Sequence, residues 1–203
     1  MNNIYQEMEV KFYVRSLAKL EERLKASGAE CVQPRVEEIN LRFDTVDGSL
    51  AAIHSVLRLR QDEKVRLTYK GERRDVGGAN TRTEIEFEAG DFDAAKAFLE
   101  ALGYRVVTVY EKYRQTYDLE GMHVTLDELP YGSFCEIEGS DPTRIYNLAR
   151  RLGLNWEVRI SASYLELFER LKAGRAPMAK NLVFSELVGL KIRPIDLGVE
   201  PAD

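Results

Sequence analysis

Apolar and polar residues alternate along several short stretches of the chain, a pattern typical of β-strands with one buried face and one polar face. In Glu7-Met8-Glu9-Val10-Lys11, the two glutamates and the lysine share one face, because successive strand side chains point to opposite sides. The same period of two predicts eight strands. They lie near residues 5–13, 36–44, 55–60, 65–70, 82–88, 106–119, 122–128 and 133–138.

Helical periodicity separates these strands. Apolar residues recur every three or four positions at 16–28, 91–103, 141–153 and 163–172, with Ser or Asp at each start and Gly close to each end. A further short helix is predicted near Asn181 to Leu190. Gly71 to Asn80, with Gly77-Gly78 at its tip, is interpreted as a mobile loop.

The order of elements repeats within the chain. The strand at Glu7 to Lys11 is followed by a helix that ends at Gly28, and the strand at Glu84 to Glu88 is followed by a helix that ends at Gly103. Two halves of four strands favour an α+β fold built on an eight-stranded antiparallel β-barrel. The helices need an apolar surface, so we expect them on the outside and the charged strand faces inside.

Composition and charge narrow the class of protein. The chain has 203 residues, 44% hydrophobic and 31% charged, and a net charge of −5, which argues against a general nucleic-acid binder. Its two cysteines, Cys31 and Cys135, form no disulfide framework, and no apolar run is long enough to span a bilayer. We expect a cytoplasmic monomer or homodimer that binds neither nucleic acid nor membrane.

The charges on the polar faces segregate by strand. Cations occur at Arg58, Arg60, Arg66, Lys70, Lys112 and Arg114, whereas carboxylates occur mostly as pairs two residues apart: Glu7 with Glu9, Glu84 with Glu86, Glu136 with Glu138. Carboxylate oxygens suit Mg²⁺ or Mn²⁺, and Arg and Lys suit phosphate oxygens. An interior with both suits a metal-bound polyphosphate. The alternative for Glu84 and Glu86 is simple pairing with interior arginines.

These residues carry a resemblance to a known family. Glu7-Met8-Glu9-Val10-Lys11 resembles the ExExK signature of the CYTH family, also called triphosphate tunnel metalloenzymes. The resemblance covers about residues 5 to 170, in family order. It continues through Leu57-Arg58-Leu59-Arg60, Lys70-Gly71, Arg82-Thr83-Glu84-Ile85-Glu86, Glu111-Lys112-Tyr113-Arg114, Leu126-Asp127, Phe134-Cys135-Glu136-Ile137-Glu138 and Ser163-Tyr164-Leu165-Glu166-Leu167.

The resemblance implies a triphosphate tunnel domain at 1–173, which binds a small-molecule triphosphate together with two Mg²⁺ or Mn²⁺ ions, and a separate C-terminal tail at 174–203. By position in the family pattern, the metal ligands are Glu7, Glu9, Glu84, Glu86, Asp127, Glu136 and Glu138. The residues implied for substrate binding are Lys11, Arg58, Arg60, Lys70, Arg82, Lys112 and Arg114. Those implied for catalysis are Lys11, Lys112, Arg114 and Asp127.

Three functions remain open at this point. The first is metal-dependent hydrolysis of tripolyphosphate, thiamine triphosphate or a nucleoside triphosphate. The second is a class IV-like adenylyl cyclase, which forms cyclic AMP and pyrophosphate from ATP, and the third is a polyphosphate- or nucleotide-binding module without turnover. The intact glutamate pairs favour an enzyme, since binding alone needs cations more than acids. We interpret His54 and His123 as incidental, and Tyr164 and Phe168 as core residues.

Overall fold

The computed structural model describes residues 8–72, 74–76, 79–81, 83–174 and 179–203, with the backbone alone at 74–76 and 79–81. Eight strands of this described part form one antiparallel sheet in the order β1-β10-β9-β8-β2-β3-β4-β7, and β5 and β6 form a separate hairpin. The bounds are β1 Met8–Val14, β2 Glu30–Asp44, β3 Val56–Gln61, β4 Val65–Lys70, β5 Arg74–Val76, β6 Ala79–Thr81, β7 Glu84–Ala89, β8 Arg105–Leu119, β9 Met122–Leu129 and β10 Gly132–Gly139. The predicted eight-stranded antiparallel sheet is confirmed.

The helices begin where the sequence predicts. Side chains of Ser16, Asp91, Asp141 and Ser163 each accept a hydrogen bond from a backbone N–H of the first helical turn. The helices are α1 Leu17–Ala26, α2 Ser49–Ala52, α3 Phe92–Ala101, α4 Pro142–Arg151, α5 Tyr164–Ala173 and α6 Phe184–Leu187, with 3₁₀ turns at Trp156–Val158 and Pro194–Leu197. No helix among the described residues is both long enough and apolar enough to cross a membrane.

Two stretches differ from the sequence prediction. β2 begins at Glu30 rather than near residue 36, because its first half is largely exposed and contains Pro34, so no alternation marks it. The predicted loop at 71–80 contains β5 and β6, which pair with each other. In the sequence, a Gly-Gly pair such as Gly77-Gly78 is typical of a hairpin turn, so a hairpin could have been predicted here instead of a loop.

The chain divides into two compact units, which we call the first and the second unit. The first contains Glu37–Glu111, and its core joins β2, β3 and α3 through Leu41, Phe43, Leu57, Leu59 and Leu99. The second contains Met8–Val36 and Lys112–Asp203. Its core packs α1 and α4 against the apolar faces of β9 and β10, and includes Leu20, Leu24, Ile145, Leu148, Val124, Leu126, Cys135 and Ile137.

The strand pairing does not follow the two sequence repeats. β1 pairs with β10, placing Lys11 opposite Glu136 and Glu9 opposite Glu138, while β7 pairs with β4. The first strand of each repeat therefore joins strands from the other repeat. This exchange brings the ExExK strand next to the strand that carries the last glutamate pair.

The C-terminal residues pack on the second unit rather than standing apart from it. Pro201 forms a parallel bridge with Tyr13, the Ala202 N–H donates to the Tyr13 carbonyl at 2.9 Å, and the Ala202 side chain is buried in the second core. The predicted division at residue 173 stays a prediction, but the last residues contribute to the environment of β1.

Candidate active site

An arginine-rich set of side chains occupies the polar face of β2, β3, β4 and β7 in the first unit. We call it the arginine cluster, and it comprises Glu38, Asn40, Arg42, Arg58, Arg60, Asp62, Arg66, Thr68 and Glu86. Alternation places these residues on one face, since Leu41, Phe43, Leu57 and Leu59 on the same strands belong to the core. Arg42 lies opposite Arg58, and Arg60 lies opposite Arg66.

Carboxylates pair with these arginines. Glu86 contacts three of them, Arg58 at 3.5 Å, Arg60 at 3.6 Å and Arg66 at 4.0 Å, and it accepts a 2.7 Å hydrogen bond from Thr68. Asp62 binds Arg66 at 2.7 Å. Lys70 and Glu84, at the end of the same face, pair at 2.8 Å. Glu86 therefore pairs with arginines and Glu84 with a lysine, and the metal-binding role of both carboxylates stays a prediction.

Neighbouring charges affect the two arginines of β3 in opposite ways. Burial lowers the pKa of the Arg58 guanidinium, but Tyr110, Glu38 and Glu86 outweigh that effect and raise it. Burial and the adjacent charge of Arg58 lower the pKa of Arg60. Both side chains remain charged, since arginine does not lose its proton in proteins. Arginines crowded in this way would gain from an added anion.

A second charged set lies in the second unit and is more deeply buried. We call it the Asp127 cluster, and it comprises Lys11, Lys112, Arg114, Asp127, Glu136 and Tyr164. Asp127 accepts hydrogen bonds from Arg114 Nε at 2.7 Å, from Lys112 Nζ at 3.2 Å and from the Tyr164 hydroxyl at 2.7 Å. Arg114 Nη2 also contacts Glu136 at 2.5 Å, and Lys11 Nζ lies 3.3 Å from the same carboxylate.

The burial of this cluster changes the protonation of its acids. Burial alone would raise the pKa of Asp127, but Arg114 and Lys112 outweigh it and hold that pKa far below its usual value. Lys11 and Arg114 likewise overcome the effect of burial at Glu136 and lower its pKa. Both carboxylates are therefore ionised, and each balances the cations around it. Asp127 has both oxygens occupied, so it positions Lys112 and Arg114.

Five elements bring the Asp127 cluster together. Lys11 on β1 lies opposite Glu136 on β10, and Arg114 on β8 lies opposite Asp127 on β9. Tyr164 begins α5, whose start is fixed by a capping box in which Ser163 and Glu166 bond each other's backbone N–H groups. The Tyr164 ring lies 4.2 Å from Lys11 Nζ, which also donates to the Ala162 carbonyl at 3.1 Å.

The structure places most predicted site residues in these two sets. Lys11, Lys112, Arg114, Asp127 and Glu136 meet in the Asp127 cluster, whereas Arg58, Arg60 and Glu86 meet in the arginine cluster. Lys70 and Glu84 pair on the polar face of the first unit. Glu9 is exposed and Glu138 is half-buried. Glu7 and Arg82 lie outside the described residues. The roles of all these residues stay predictions.

Sequence reasoning missed several members of the clusters. Tyr164 is buried, as predicted for a core residue, but its hydroxyl also bonds Asp127. Glu38, Asn40 and Arg42 were not singled out, although they alternate with apolar residues on β2. This alternation was the sequence signal that could have placed them on the polar face of the strand. The contact of Tyr164 with Asp127, 37 residues away, left no local signal in the sequence.

The donor chemistry of the second unit fits a hard divalent cation. Glu9 and Glu138 lie directly opposite each other on adjacent strands, which brings two carboxylates close together. No set of three or more acidic, His or Cys side chains is placed to bind a metal within the described ranges. Mg²⁺ commonly binds one or two protein carboxylates and completes its shell with water and substrate phosphate.

Comparison with known proteins extends this description. A family model described as the CYTH domain matches residues 5–154. A Methanocaldococcus jannaschii protein named "Putative adenylate cyclase" is 27% identical over 172 residues, which are 79% of this chain and 97% of that protein. The structure of a conserved hypothetical protein from Pyrococcus furiosus is 29% identical, with a TM-score of 0.66 over 79% of this chain and 98% of that one.

Two more distant structures share the fold. A Vibrio parahaemolyticus protein described as a putative adenylate cyclase has a TM-score of 0.72 at 23% identity, over 82% of this chain and 99% of that one. A Hippeastrum protein, described as a putative adenylyl cyclase with a dominant triphosphatase activity, has a TM-score of 0.62 at 21% identity, over 84% and 97% of the two chains.

Proposed function

The chain belongs to the CYTH domain family, and on that premise we propose that it is an enzyme that hydrolyses a small-molecule triphosphate with Mg²⁺ or Mn²⁺. The observation that carries the proposal is the Asp127 cluster. Its three cations, Lys11, Lys112 and Arg114, face two carboxylates, and the lysines are only 6% and 5% exposed. Closely spaced, buried cations of this kind suit the binding of phosphoryl oxygens.

In this proposal, some residues of the cluster bind phosphate and others position them. Lys11, Lys112 and Arg114 bind phosphoryl oxygens and stabilise the charge that develops on them during in-line attack by water. Asp127 and Tyr164 hold the cations in place before substrate arrives, so little reorganisation is needed. Arginine is suited to two oxygens at once because its guanidinium is planar.

Glu9 and Glu138, with Glu136 beside them, would hold the metal. When bound there, Mg²⁺ or Mn²⁺ supplies Lewis-acid polarisation of phosphoryl oxygens and a water of lowered pKa. Glu136 is tied to Lys11 and Arg114, so it links the carboxylates proposed for the metal to the cations proposed for phosphate.

A second candidate is adenylyl cyclase activity, favoured by the name of the M. jannaschii relative. In that reaction the ribose 3′-hydroxyl attacks the α-phosphorus of ATP and pyrophosphate leaves. The Hippeastrum protein, which shares the fold, is described with a dominant triphosphatase activity, so the fold itself does not choose between the two reactions. Both reactions need the same cations, and we favour hydrolysis because no adenine-recognition motif is apparent in the sequence.

A substrate panel separates the candidates. Tripolyphosphate, thiamine triphosphate and ATP are each incubated with Mg²⁺ and with Mn²⁺, and orthophosphate, pyrophosphate and cyclic AMP are measured. We expect orthophosphate release from a triphosphate to exceed cyclic AMP formation from ATP. Predominant cyclic AMP would reverse the order of the two candidates, and no turnover of any substrate would leave a binding module.

A further inference from the structure

A buried amide in the arginine cluster has no hydrogen-bond partner within the part of the chain that the structure describes. Asn40 on β2 is 0% exposed, and neither its Nδ2 nor its Oδ1 atom has a partner among the described residues. Leaving a buried polar group unsatisfied costs about 1–3 kcal/mol, so native proteins keep few of them. The core position of Leu41 and Phe43 shows that Asn40 faces the charged side of the strand.

Two further donors beside Asn40 are in the same condition. Arg60 lies directly opposite Asn40 on β3, and Arg58 lies two residues before Arg60, opposite Arg42. The Nε atoms of both arginines are buried and lack a hydrogen-bond acceptor within the described part of the chain. Arg60 Nε comes within 3.6 Å of Asp62, which is an ion pair but too long for a hydrogen bond. The N–H donors of Asn40 Nδ2, Arg58 Nε and Arg60 Nε therefore all lack an acceptor among the described residues.

We propose that Asn40 is a substrate-binding residue, whose Nδ2 donates to a phosphoryl oxygen that Arg58 and Arg60 also bind. The inference rests on the proposed function and adds a residue to it. A phosphoryl group carries several acceptor oxygens and negative charge, so it can satisfy all three donor sets together. Asn40 Oδ1 would then accept from a water that the phosphate retains.

The neutral amide suits this position better than a charged residue. A lysine or arginine at position 40 would add a cation to a face already crowded with Arg42, Arg58, Arg60 and Arg66. An aspartate would bind Arg60 and compete with phosphate. An amide contributes a donor without altering the net charge. Its unsatisfied hydrogen-bonding groups destabilise the protein without ligand, and a bound phosphate would remove that cost.

The test compares triphosphate binding with ligand-free stability. Asn40→Leu keeps the number and branching of the side-chain heavy atoms and removes both unsatisfied groups, whereas Asn40→Asp adds a charge opposite Arg60. Tripolyphosphate binding is measured by calorimetry in the presence of EDTA, and the melting temperature is measured without ligand. We expect both variants to bind about tenfold more weakly, the loss of one charge-assisted hydrogen bond, while melting at or above the wild-type temperature.

Ser55→Ala provides a matched control, because Ser55 is also buried in the first unit but its hydroxyl has a partner in Tyr69. Its ligand-free stability should fall and its binding should not change. Wild-type affinity in a folded Asn40→Leu or Asn40→Asp protein would overturn the role of Asn40, and would indicate that the amide holds only a structural water. Failure of the wild-type protein to bind tripolyphosphate would instead overturn the proposed function, and this inference with it.

Discussion

At the scale of single residues, Tyr164 links helix α5 to the fully buried Asp127. Its hydroxyl donates to Asp127, and burial together with the charge of Asp127 raises the Tyr164 pKa well above its usual value. The hydroxyl therefore stays protonated and acts as a fixed donor. Lys112 and Arg114 depend on the orientation of Asp127, so Tyr164 acts on the cations indirectly, as a positioning residue.

Tyr164→Phe should expose that role. The change leaves one Asp127 interaction unmade but keeps the aromatic ring over Lys11, so we expect the free energy of unfolding to fall by about 1–2 kcal/mol. Because the cations lose orientation, the KM for tripolyphosphate should rise roughly three- to tenfold, with a smaller change in kcat. Unfolding in urea and steady-state phosphate release measure the two effects.

Tyr117→Phe is the matched control for this experiment. The Tyr117 hydroxyl donates to the Glu21 carboxylate at 2.6 Å, on the apolar side of β8 that packs against α1. Tyr117→Phe should lower the free energy of unfolding by a comparable amount and leave the KM for tripolyphosphate unchanged. Equal KM values for Tyr164→Phe and the wild type would show that Tyr164 supports only the fold.

At the scale of elements, Asp44 organises the connection from β2 through α2 to β3. Its carboxylate accepts hydrogen bonds from the backbone N–H groups of Thr45, Leu50 and Ala51 at 2.7–3.0 Å. Burial would raise its pKa, but these donors outweigh burial and lower it. The connection precedes Arg58 and Arg60, so its order affects the start of β3.

Asp44 gives a prediction about pH. Because its folded pKa is lowered, Asp44 contributes stability above its unfolded pKa, near 4, and this contribution disappears as the pH falls through the lower folded value. Asp44→Ala should lower the free energy of unfolding at pH 7 by about 2 kcal/mol and weaken the dependence of stability on pH below 4. Urea unfolding at pH 7 and at pH 3 provides the measurement. The prediction is contradicted if the free energy of unfolding changes between the two pH values by the same amount in Asp44→Ala and in the wild type.

The sequence predicts elements well where the signal is local. The caps at Ser16, Asp91, Asp141 and Ser163 each depend on a few adjacent residues, and the structure confirms them. The pairing of β1 with β10 joins residues more than a hundred positions apart, so alternation identifies the strands but not their neighbours. For the same reason Lys11 and Glu136 could be proposed as site residues, while their mutual contact could not.

The sequence did not identify site residues whose type is common in protein cores or carries no charge. An aromatic at helical spacing, such as Tyr164, is most often part of the core, and only the fold brings its hydroxyl to Asp127. Asn40 carries no charge and belongs to no signature, so its lack of a partner becomes visible only when the side chains around it are known. The charged residues of the signature were found because their charge itself breaks the apolar pattern.

At the scale of the whole molecule, ligand binding should stabilise the folded state. The native protein presents arranged cations and the unfolded chain does not, so tripolyphosphate at 100 times its Kd should add about 2.7 kcal/mol to the free energy of unfolding. A rise in melting temperature with tripolyphosphate concentration would show this. Added salt should reduce the rise, because it screens the more exposed charges.

Arg58→Ala combined with Arg60→Ala should weaken this stabilisation. The matched control is Arg144→Ala combined with Arg151→Ala, which removes two positive charges from helix α4, where Arg144 and Arg151 contact Glu120. The control should keep the wild-type rise in melting temperature. If both double variants respond alike, the effect of tripolyphosphate depends on total charge and not on the arginine cluster.

The metal dependence of turnover tests the central claim most directly. Glu138→Gln is the informative variant, because Glu138 lies opposite Glu9, whereas a change at Glu136 would also break ion pairs with Lys11 and Arg114. Glu128→Gln is the control, since Glu128 on the other face of β9 pairs with Arg35. Phosphate release from tripolyphosphate is measured against Mg²⁺ and Mn²⁺ concentration for all three proteins.

We expect wild-type turnover to require the metal and Glu128→Gln to behave as the wild type. Glu138→Gln should turn over at least about tenfold more slowly, equivalent to about 1.4 kcal/mol in the barrier, and should recover in part at higher Mn²⁺. Turnover that persists in EDTA, or wild-type turnover by a folded Glu138→Gln protein at every metal concentration, would contradict a metal-dependent active site.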